Sequence, residues 1–312
     1  SFTASTISTN ADGATSVHLA DLDNDGDLDI VSSSYLDDTI SWHENSLSNS
    51  GAPNVFSSSN ISTSANGAHS VFAIDVDSDG DIDVLSASFT DDKIAWYENN
   101  GSESFTARTI TTSADAAQSV FAIDVDSDGD IDVLSASVND DKIAWYENNG
   151  SESFTARTIT TSADGAKGLF AIDVDSDGDI DVLSASQNDN KIAWYENNGS
   201  ESFTGRTITT SANGATAVFA IDVDSDGDID VLSASLNDDK IAWYENNGSE
   251  SFTANNITTS ADFAMSVFAI DVDSDGDIDV LSASRNDDKI AWYENNGSES
   301  FTARTISSSA DA

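Results

Sequence analysis

The chain has 312 residues, no cysteine, one proline (Pro53) and a formal charge of −46. Hydrophobic residues make up 38%, with six Trp and fourteen Phe, which is enough for a packed core and argues against global disorder. So acidic a surface repels phosphate backbones and anionic lipid heads, and no run approaches the roughly 18 apolar residues of a spanning helix; nucleic acid and membrane insertion are not expected.

The chain opens on residues 1–9 (SFTASTIST), a Thr-rich stretch with the character of an outer strand. An acid run starts at Asp21 and recurs at Asp75, Asp124, Asp173, Asp222 and Asp271, at spacings of 54, 49, 49, 49 and 49 residues. These are six copies of one repeat, the first lengthened by an insertion near residues 46–53. The copying is close: residues 109–157 and 158–206 differ at seven of 49 positions.

Within the third copy four strand-like pieces follow in order. Residues 119–125 (SVFAIDV) are apolar on both faces and suit an inner strand, A. Residues 131–137 (IDVLSAS) form B, after the acid loop. Residues 142–148 (KIAWYEN) form C and alternate, with Ile143 and Trp145 on one face and Ala144 and Tyr146 on the other. After an NGSE turn, residues 153–161 (SFTARTITT) form the more polar D. Helical periodicity is absent, and Gly, Asn, Asp and Ser separate the pieces. The fold class is therefore all-β: a β-propeller of six four-stranded blades, spanning 1–312 as one domain. Residues 300–308 (SFTARTISS) are again a D piece, so seven D pieces serve six A–B–C sets. One terminal D can close the ring; the surplus one points to a doubled edge, to self-association with a neighbouring molecule, or to part of a seven-bladed ring or longer array.

The acid run DVDSDGDID fits D-x-D-x-D-G-x-x-D, a short relative of the EF-hand loop. Carboxylates at positions 1, 3 and 5 converge, Gly at 6 permits the turn, and the carbonyl at 7 and Asp at 9 complete an oxygen shell. Hard oxygen ligands without His or Cys favour Ca2+, about six ions, in a structural role that staples each A–B hairpin. The candidate ligand segments supply Asp21, Asp23, Asp25, Asp27 and Asp29 in the first copy and Asp75, Asp77, Asp79, Asp81 and Asp83 in the second. The third and fourth supply Asp124, Asp126, Asp128, Asp130, Asp132, Asp173, Asp175, Asp177, Asp179 and Asp181. The last two supply Asp222, Asp224, Asp226, Asp228, Asp230, Asp271, Asp273, Asp275, Asp277 and Asp279, with position 7 acting through its carbonyl.

Set between two short apolar strands and repeated, the loops DLDNDGDLD and DVDSDGDID resemble the VCBS / FG-GAP repeats of integrin-like calcium-binding β-propellers. The resemblance covers essentially the whole chain, although the literal Phe-Gly and Gly-Ala-Pro signatures are missing from the blades and the one GAP (Gly51, Ala52, Pro53) sits in the insertion. It implies a secreted or cell-surface module of adhesion, lectin or polysaccharide-degrading proteins, often seven-bladed.

Because the copies are so alike, their differences form a map. One variable slot precedes strand A: Thr15, His69, Gln118, Lys167, Thr216 and Met265. Beside it stand Gly13, Gly67, Ala116, Gly165, Gly214 and Phe263. A second slot follows strand B: Tyr35, Phe89, Val138, Gln187, Leu236 and Arg285. In an up-and-down blade the D–A and B–C connections share one end, opposite the acid loops. Drift would scatter changes over the NGSE turn too and favour small polar residues, so the twelve slots are the candidate partner-binding face.

The six Trp lie beside Ile in strand C and read as packing between blades rather than as sugar platforms. Lys93, Lys142, Lys191, Lys240 and Lys289 follow Asp-rich turns and pair with them locally. His18, His43 and His69 have no repeated partner that makes a triad legible, so no enzyme is expected. The expectation is an extracellular, calcium-stabilised recognition module for a protein or glycan. A lectin, a polysaccharide-lyase-type propeller and a structural spacer are the alternatives.

Overall fold

The computed structural model describes residues 2–46 and 55–310. Most of the insertion, with Gly51 to Pro53, lies outside the described residues. The chain is built of six four-stranded antiparallel sheets, each in simple chain order, as the blades of a β-propeller are. The first blade is β1 (Ala14–Ala20), β2 (Asp29–Ser34), β3 (Thr39–Ser46) and β4 (Val55–Ser62). The second is β5 (Ala68–Ile74), β6 (Asp83–Ser88), β7 (Lys93–Asn99) and β8 (Phe105–Thr111). The third is β9 (Ala117–Ile123), β10 (Asp132–Ser137), β11 (Lys142–Asn148) and β12 (Phe154–Thr160). The fourth is β13 (Ala166–Ile172), β14 (Asp181–Ser186), β15 (Lys191–Asn197) and β16 (Phe203–Thr209). The fifth is β17 (Ala215–Ile221), β18 (Asp230–Ser235), β19 (Lys240–Asn246) and β20 (Phe252–Thr258). The sixth is β21 (Ala264–Ile270), β22 (Asp279–Ser284), β23 (Lys289–Asn295) and β24 (Phe301–Ser307). By the density of contacts the chain divides into two units, Ser5–Thr158 and Ser1–Ala4 with Ile159–Ala312.

The inner strands end earlier than their apolar sequence suggests. β9 stops at Ile123 because Asp124 and Val125 turn into the acid loop, where the Val125 N–H donates to Asp132 Oδ2 at 3.0 Å. The period-2 alternation gives each blade two unlike faces. Register places Leu134 opposite Trp145 and Ala136 opposite Ile143, while Val133 faces Tyr146 and Ser135 faces Ala144. We call the Leu/Ala/Ile/Trp side the forward face and the Val/Ala/Tyr side the rear face.

Forward face packs on rear face. In the unit Ser5–Thr158, Leu85, Ile94 and Trp96 of the second blade lie in one core with Val120, Val133 and Tyr146 of the third. In the other unit, Leu232, Ile241 and Trp243 of the fifth blade lie in one core with Val267, Val280 and Tyr293 of the sixth. Trp96 is only 1% exposed, so the tryptophans pack between blades as the alternation indicates. Trp42, Trp96, Trp194 and Trp243 are edge-on to the first Phe of the next blade's outer strand, as in Trp96–Phe154 at 6.2 Å and Trp243–Phe301 at 6.3 Å. On the inner strands, rings stack from blade to blade: Phe72–Phe121 at 4.7 Å, and Phe219–Phe268 at 4.8 Å.

Among the described residues, the first and sixth blades each carry exposed apolar side chains on one face. On the sixth blade Leu281, Ala283, Ile290 and Trp292 are only partly buried, where their counterparts Leu232, Ala234, Ile241 and Trp243 are at most 1% exposed. Phe268 and Ile270 beside them are 47% and 48% exposed. On the rear of the first blade Val17 and Leu19 are exposed, whereas the equivalent Val71 and Ala73 are buried.

The expected strand at residues 1–9 is not formed: residues 2–9 carry no ladder. A Thr-rich segment becomes a strand only where it is laddered to a partner, and among the described residues none is laddered to this one. Its Phe2 still stands edge-on to Trp292 at 6.1 Å, the contact that the first Phe of a D strand makes with the Trp of the preceding blade.

Candidate functional site

The two ends of a blade carry different chemistry. At one end the acid loop joins the inner two strands. In the second blade Asp75 Oδ2 accepts from the Gly80 N–H at 3.0 Å, and Asp77 Oδ1 from the Asp79 N–H at 3.2 Å. Gly80 sits at φ +97°, a conformation reserved for glycine. At position 9 Asp83 is fully buried, accepting from the Val76 N–H at 3.0 Å and the Asn99 N–H at 2.7 Å. These bonds hold the hairpin closed and still leave lone pairs on each carboxylate.

Single carboxylate oxygens of Asp75, Asp77 and Asp83 come within 4.8 Å of one another, and so do those of Asp21, Asp23 and Asp25, and of Asp124, Asp126 and Asp132. Burial, with little cationic help, pushes Asp83 and Asp132 up to about 7 and Asp181 and Asp230 up to about 6. The position-3 carboxyls Asp23, Asp77, Asp126, Asp175 and Asp224 are raised as well, first by desolvation and further by neighbouring carboxylates. Asp75 Oδ1 is buried without a hydrogen-bond partner. An all-oxygen donor set with an orphaned buried oxygen fits a hard divalent cation.

The position-7 side chains do something else. Asp81 Oδ1 accepts from Asn24 Nδ2 of the preceding loop at 3.0 Å. The turn glycine Gly101, at φ +67°, lies so close that a Cβ there would sit 2.3 Å from Asp81 Oδ2. A further group, Asp77, Glu98 and Glu152, also converges, but Arg108 is ion-paired to Glu98 at 2.5 Å and to Glu152 at 2.7 Å while lying over Trp96 at 5.2 Å.

At the other end the D–A and B–C connections are hydrogen-bonded together: Phe89 N–H donates to Gly67 O at 3.0 Å and Arg285 N–H to Phe263 O at 3.1 Å. The first variable slot is a β-bulge. Ladder register steps from Ala68 to Ser70 and from Ala264 to Ser266, so that His69 and Met265 fall in the bulge; Thr15, Gln118, Lys167 and Thr216 are bulged likewise. A bulge re-aims one side chain without disturbing the strand, which explains variability at one position inside a constant strand. The triplet A-x-[SGA], before VH in the first copy and VF or LF in the others, marks its place in the sequence but not the bulge itself.

The slots differ in exposure. Thr15, Met265 and Arg285 are exposed; His69, Lys167, Thr216, Tyr35, Phe89, Val138 and Gln187 are half-buried. Gln118 at 5% and Leu236 at 8% are buried, so these two do not offer side chains to a partner. Some bulged residues bridge blades: Thr15 Oγ1 donates to Ala68 O at 2.9 Å, and Thr216 Oγ1 to Ala264 O at 3.0 Å. Two clusters emerge. In one unit Tyr35 lies 6.5 Å from His69 and 6.2 Å from Phe89, ring to ring. In the other, the Arg285 guanidinium lies over the Phe263 ring at 6.0 Å.

Phe263 occupies the left-handed region at φ +61°, where four copies have Gly at φ +66° to +68° and the third has Ala116 at +58°. Holding a bulky residue there costs about 1–2 kcal/mol.

The lysines pair as expected, for example Lys93–Asp91 at 2.8 Å and Lys191–Asp189 at 2.6 Å. His43 takes the station of the later tyrosines: its Nε2 is 2.9 Å from Ser32 Oγ, as Tyr146 is 3.2 Å from Ser135, and its Nδ1 is 2.7 Å from Ser58 Oγ. It fills a packing role that tyrosine fills elsewhere.

Among solved structures, the chain is similar to a lectin of Agrocybe aegerita, described for recognition of non-reducing terminal N-acetylglucosamine (18% identity, TM-score 0.65, 95% of this chain and 80% of that one). It is also similar to a protein of Lactobacillus plantarum (14%, 0.66, 95% and 85%) and to a candidate 6-phosphogluconolactonase of Bacteroides fragilis (11%, 0.66, 95% and 85%). At such identities the likeness speaks for the fold. No curated protein matches the chain. The FG-GAP-like repeat model matches in tandem over residues 75–135, 124–184, 173–233, 222–282 and 271–312. Those spans begin at the acid loops of the second to sixth copies and cover well over half of the sequence: the chain belongs to the FG-GAP-like repeat family.

Proposed function

We propose that the protein is an extracellular recognition or adhesion module, without catalytic activity, whose blades are stapled by calcium and whose variable end binds a macromolecular partner. In each loop the position 1, 3, 5 and 9 carboxylates (Asp75, Asp77, Asp79 and Asp83 in the second blade), with the position 7 carbonyl, would hold the ion. The ion supplies positive charge to carboxyls that burial and one another destabilise. The observation that carries the binding role is Phe263: a strained aromatic side chain under an exposed Arg285, at a station where glycine serves four sister blades without strain. Strain kept against such an easy alternative marks a functional position. Aromatic and Arg side chains are also those that dominate binding energy.

The test replaces Phe263, Met265 and Arg285 with their fifth-blade counterparts (Phe263→Gly, Met265→Thr, Arg285→Leu). The variant is expected to melt at an equal or higher temperature and to lose at least about tenfold in affinity on a panel of surface proteins and glycans. Equal binding by the two proteins sinks the assignment of this end. The likeness to the Agrocybe aegerita lectin favours a second reading, glycan binding by the constant residues. Retained binding to terminal N-acetylglucosamine glycans by the triple variant is its signature.

A further inference from the structure

An arginine on the outer strand ties one blade to the next. In the second blade Arg108 stands opposite Trp96 in the ladder, with its guanidinium 5.2 Å above the ring. Its Nε and Nη2 meet Glu98 Oε2 at 2.6 and 2.5 Å, and its Nη1 meets Glu152, in the turn of the third blade, at 2.7 Å. Arg206 repeats the arrangement in the other unit: it lies over Trp194 at 5.2 Å and pairs with Glu196 at 2.5 Å and with Glu250 of the fifth blade at 2.6 Å. Two carboxylates, one from each blade, and an aromatic ring thus make a seat for a planar cation.

Between the fifth and sixth blades the seat lacks its cation. Asn255 stands opposite Trp243, where Arg206 stands opposite Trp194. The surroundings are kept. Glu299 holds the φ of +59° that Glu152 and Glu250 hold, and Trp243 is 1% exposed, as Trp96 and Trp194 are. The Asn255 amide donates to Glu245 Oε2 at 3.3 Å but brings no charge. Glu299 is exposed, and among the described residues it has no ion pair or hydrogen bond. The first blade also lacks the arginine, with Ser59 in its place, but there the two carboxylate oxygens of Glu44 accept from the hydroxyls of Ser46 and Ser57. We infer that Glu245 and Glu299, beside Trp243, form a binding site for an arginine side chain of a protein partner, which takes the place that Arg108 and Arg206 fill in the sister junctions. The sister seats use three N–H groups of one plane against two carboxylates, a pattern that an ammonium group or a metal ion does not reproduce. With 57 acidic residues against 11 basic ones, the chain draws a basic partner from a distance. The site lies at the acid-loop end of the blades, apart from the variable slots.

The probe is N-acetyl-arginine amide, titrated into the protein in calcium-containing buffer while the indole N–H resonances of the six tryptophans are followed. A saturable shift is expected at Trp243 and none at Trp96 or Trp194. Asn255→Arg, which restores the sister arrangement, is expected to abolish the shift and to keep or raise the melting temperature. Glu299→Gln, at an exposed position, is expected to keep the fold and to weaken binding by about threefold or more. N-acetyl-lysine amide is expected to bind more weakly than the arginine probe. The variant Phe263→Gly, Met265→Thr, Arg285→Leu is expected to leave the titration unchanged, so that failure of this site and failure of the variable end are read separately. Absence of a saturable shift at Trp243, or an equal shift in Asn255→Arg, overturns the inference. Displacement of the probe by added calcium at constant ionic strength overturns it too, since the seat would then belong to a metal ion. Free arginine binding more tightly than the capped form would assign the seat to the amino acid instead of a protein partner.

Discussion

At the scale of single residues, the position-9 aspartates carry the clearest energetic consequence. Asp83, Asp132, Asp181 and Asp230 are buried, and their carboxyls are raised to about 7 or about 6 from 3.8. A folded value above the unfolded one means that the native state binds more protons between about pH 4 and 7. In chelator the melting temperature is therefore expected to rise as the pH falls from 7.5 to 5. A cation favours the ionised form, so the calcium-dependent gain is expected to be larger at pH 7.5 than at pH 5. Thermal melts at both pH values, with chelator and with calcium, check this. A chelated protein that loses stability on acidification across that window contradicts the burial argument, and one that melts equally with and without calcium contradicts the staple. The hairpin turn of the acid loop was legible because the spacing of its Asp and Gly residues is local in sequence. The bulge that holds His69 and Met265 was not, because a bulge is a relation between two strands.

At the scale of elements, the two faces of a strand C explain both what sequence shows and what it hides. Alternation in KIAWYEN places Trp beside Ile on one side and Tyr beside Ala on the other, and the cores confirm it. Alternation cannot tell whether a given face finds a neighbour. Trp243 is 1% exposed in a core with Val267 and Tyr293, while the same residue at 292 is partly open. Trp243→Ala is accordingly expected to cost about 3–5 kcal/mol and Trp292→Ala distinctly less, measured by denaturant titration. Equal costs would mean that Trp292 is covered in solution. The same limit applies to residues 1–9. Their composition is that of an outer strand, but pairing makes a strand, and sequence does not say whether a partner runs beside it.

At the scale of the whole molecule, stability is spread along the chain rather than gathered at one centre. Blades 2 to 5 repeat one forward face and blades 3 to 6 one rear face, so the junctions within each unit contribute nearly equal increments, as in other repeat proteins. Removing one period, residues 173–221, joins like to like and preserves each kind of face. The shortened protein is expected to keep the far-ultraviolet spectrum per residue and a cooperative melt, a few degrees lower. A broad, non-cooperative melt would show that the blades are not interchangeable.

Since within each unit a Trp-bearing face meets a Val/Ala/Tyr face, the array has a direction, and those junctions share one lock and key. A gene encoding it can gain or lose one 49-residue unit by unequal recombination without any new interface having to evolve. Variation that can be confined to a bulge and a neighbouring loop then diversifies by shuffling whole units as well as by point mutation. Near-identity of the copies would thus let such a chain change its length while each intermediate still folds.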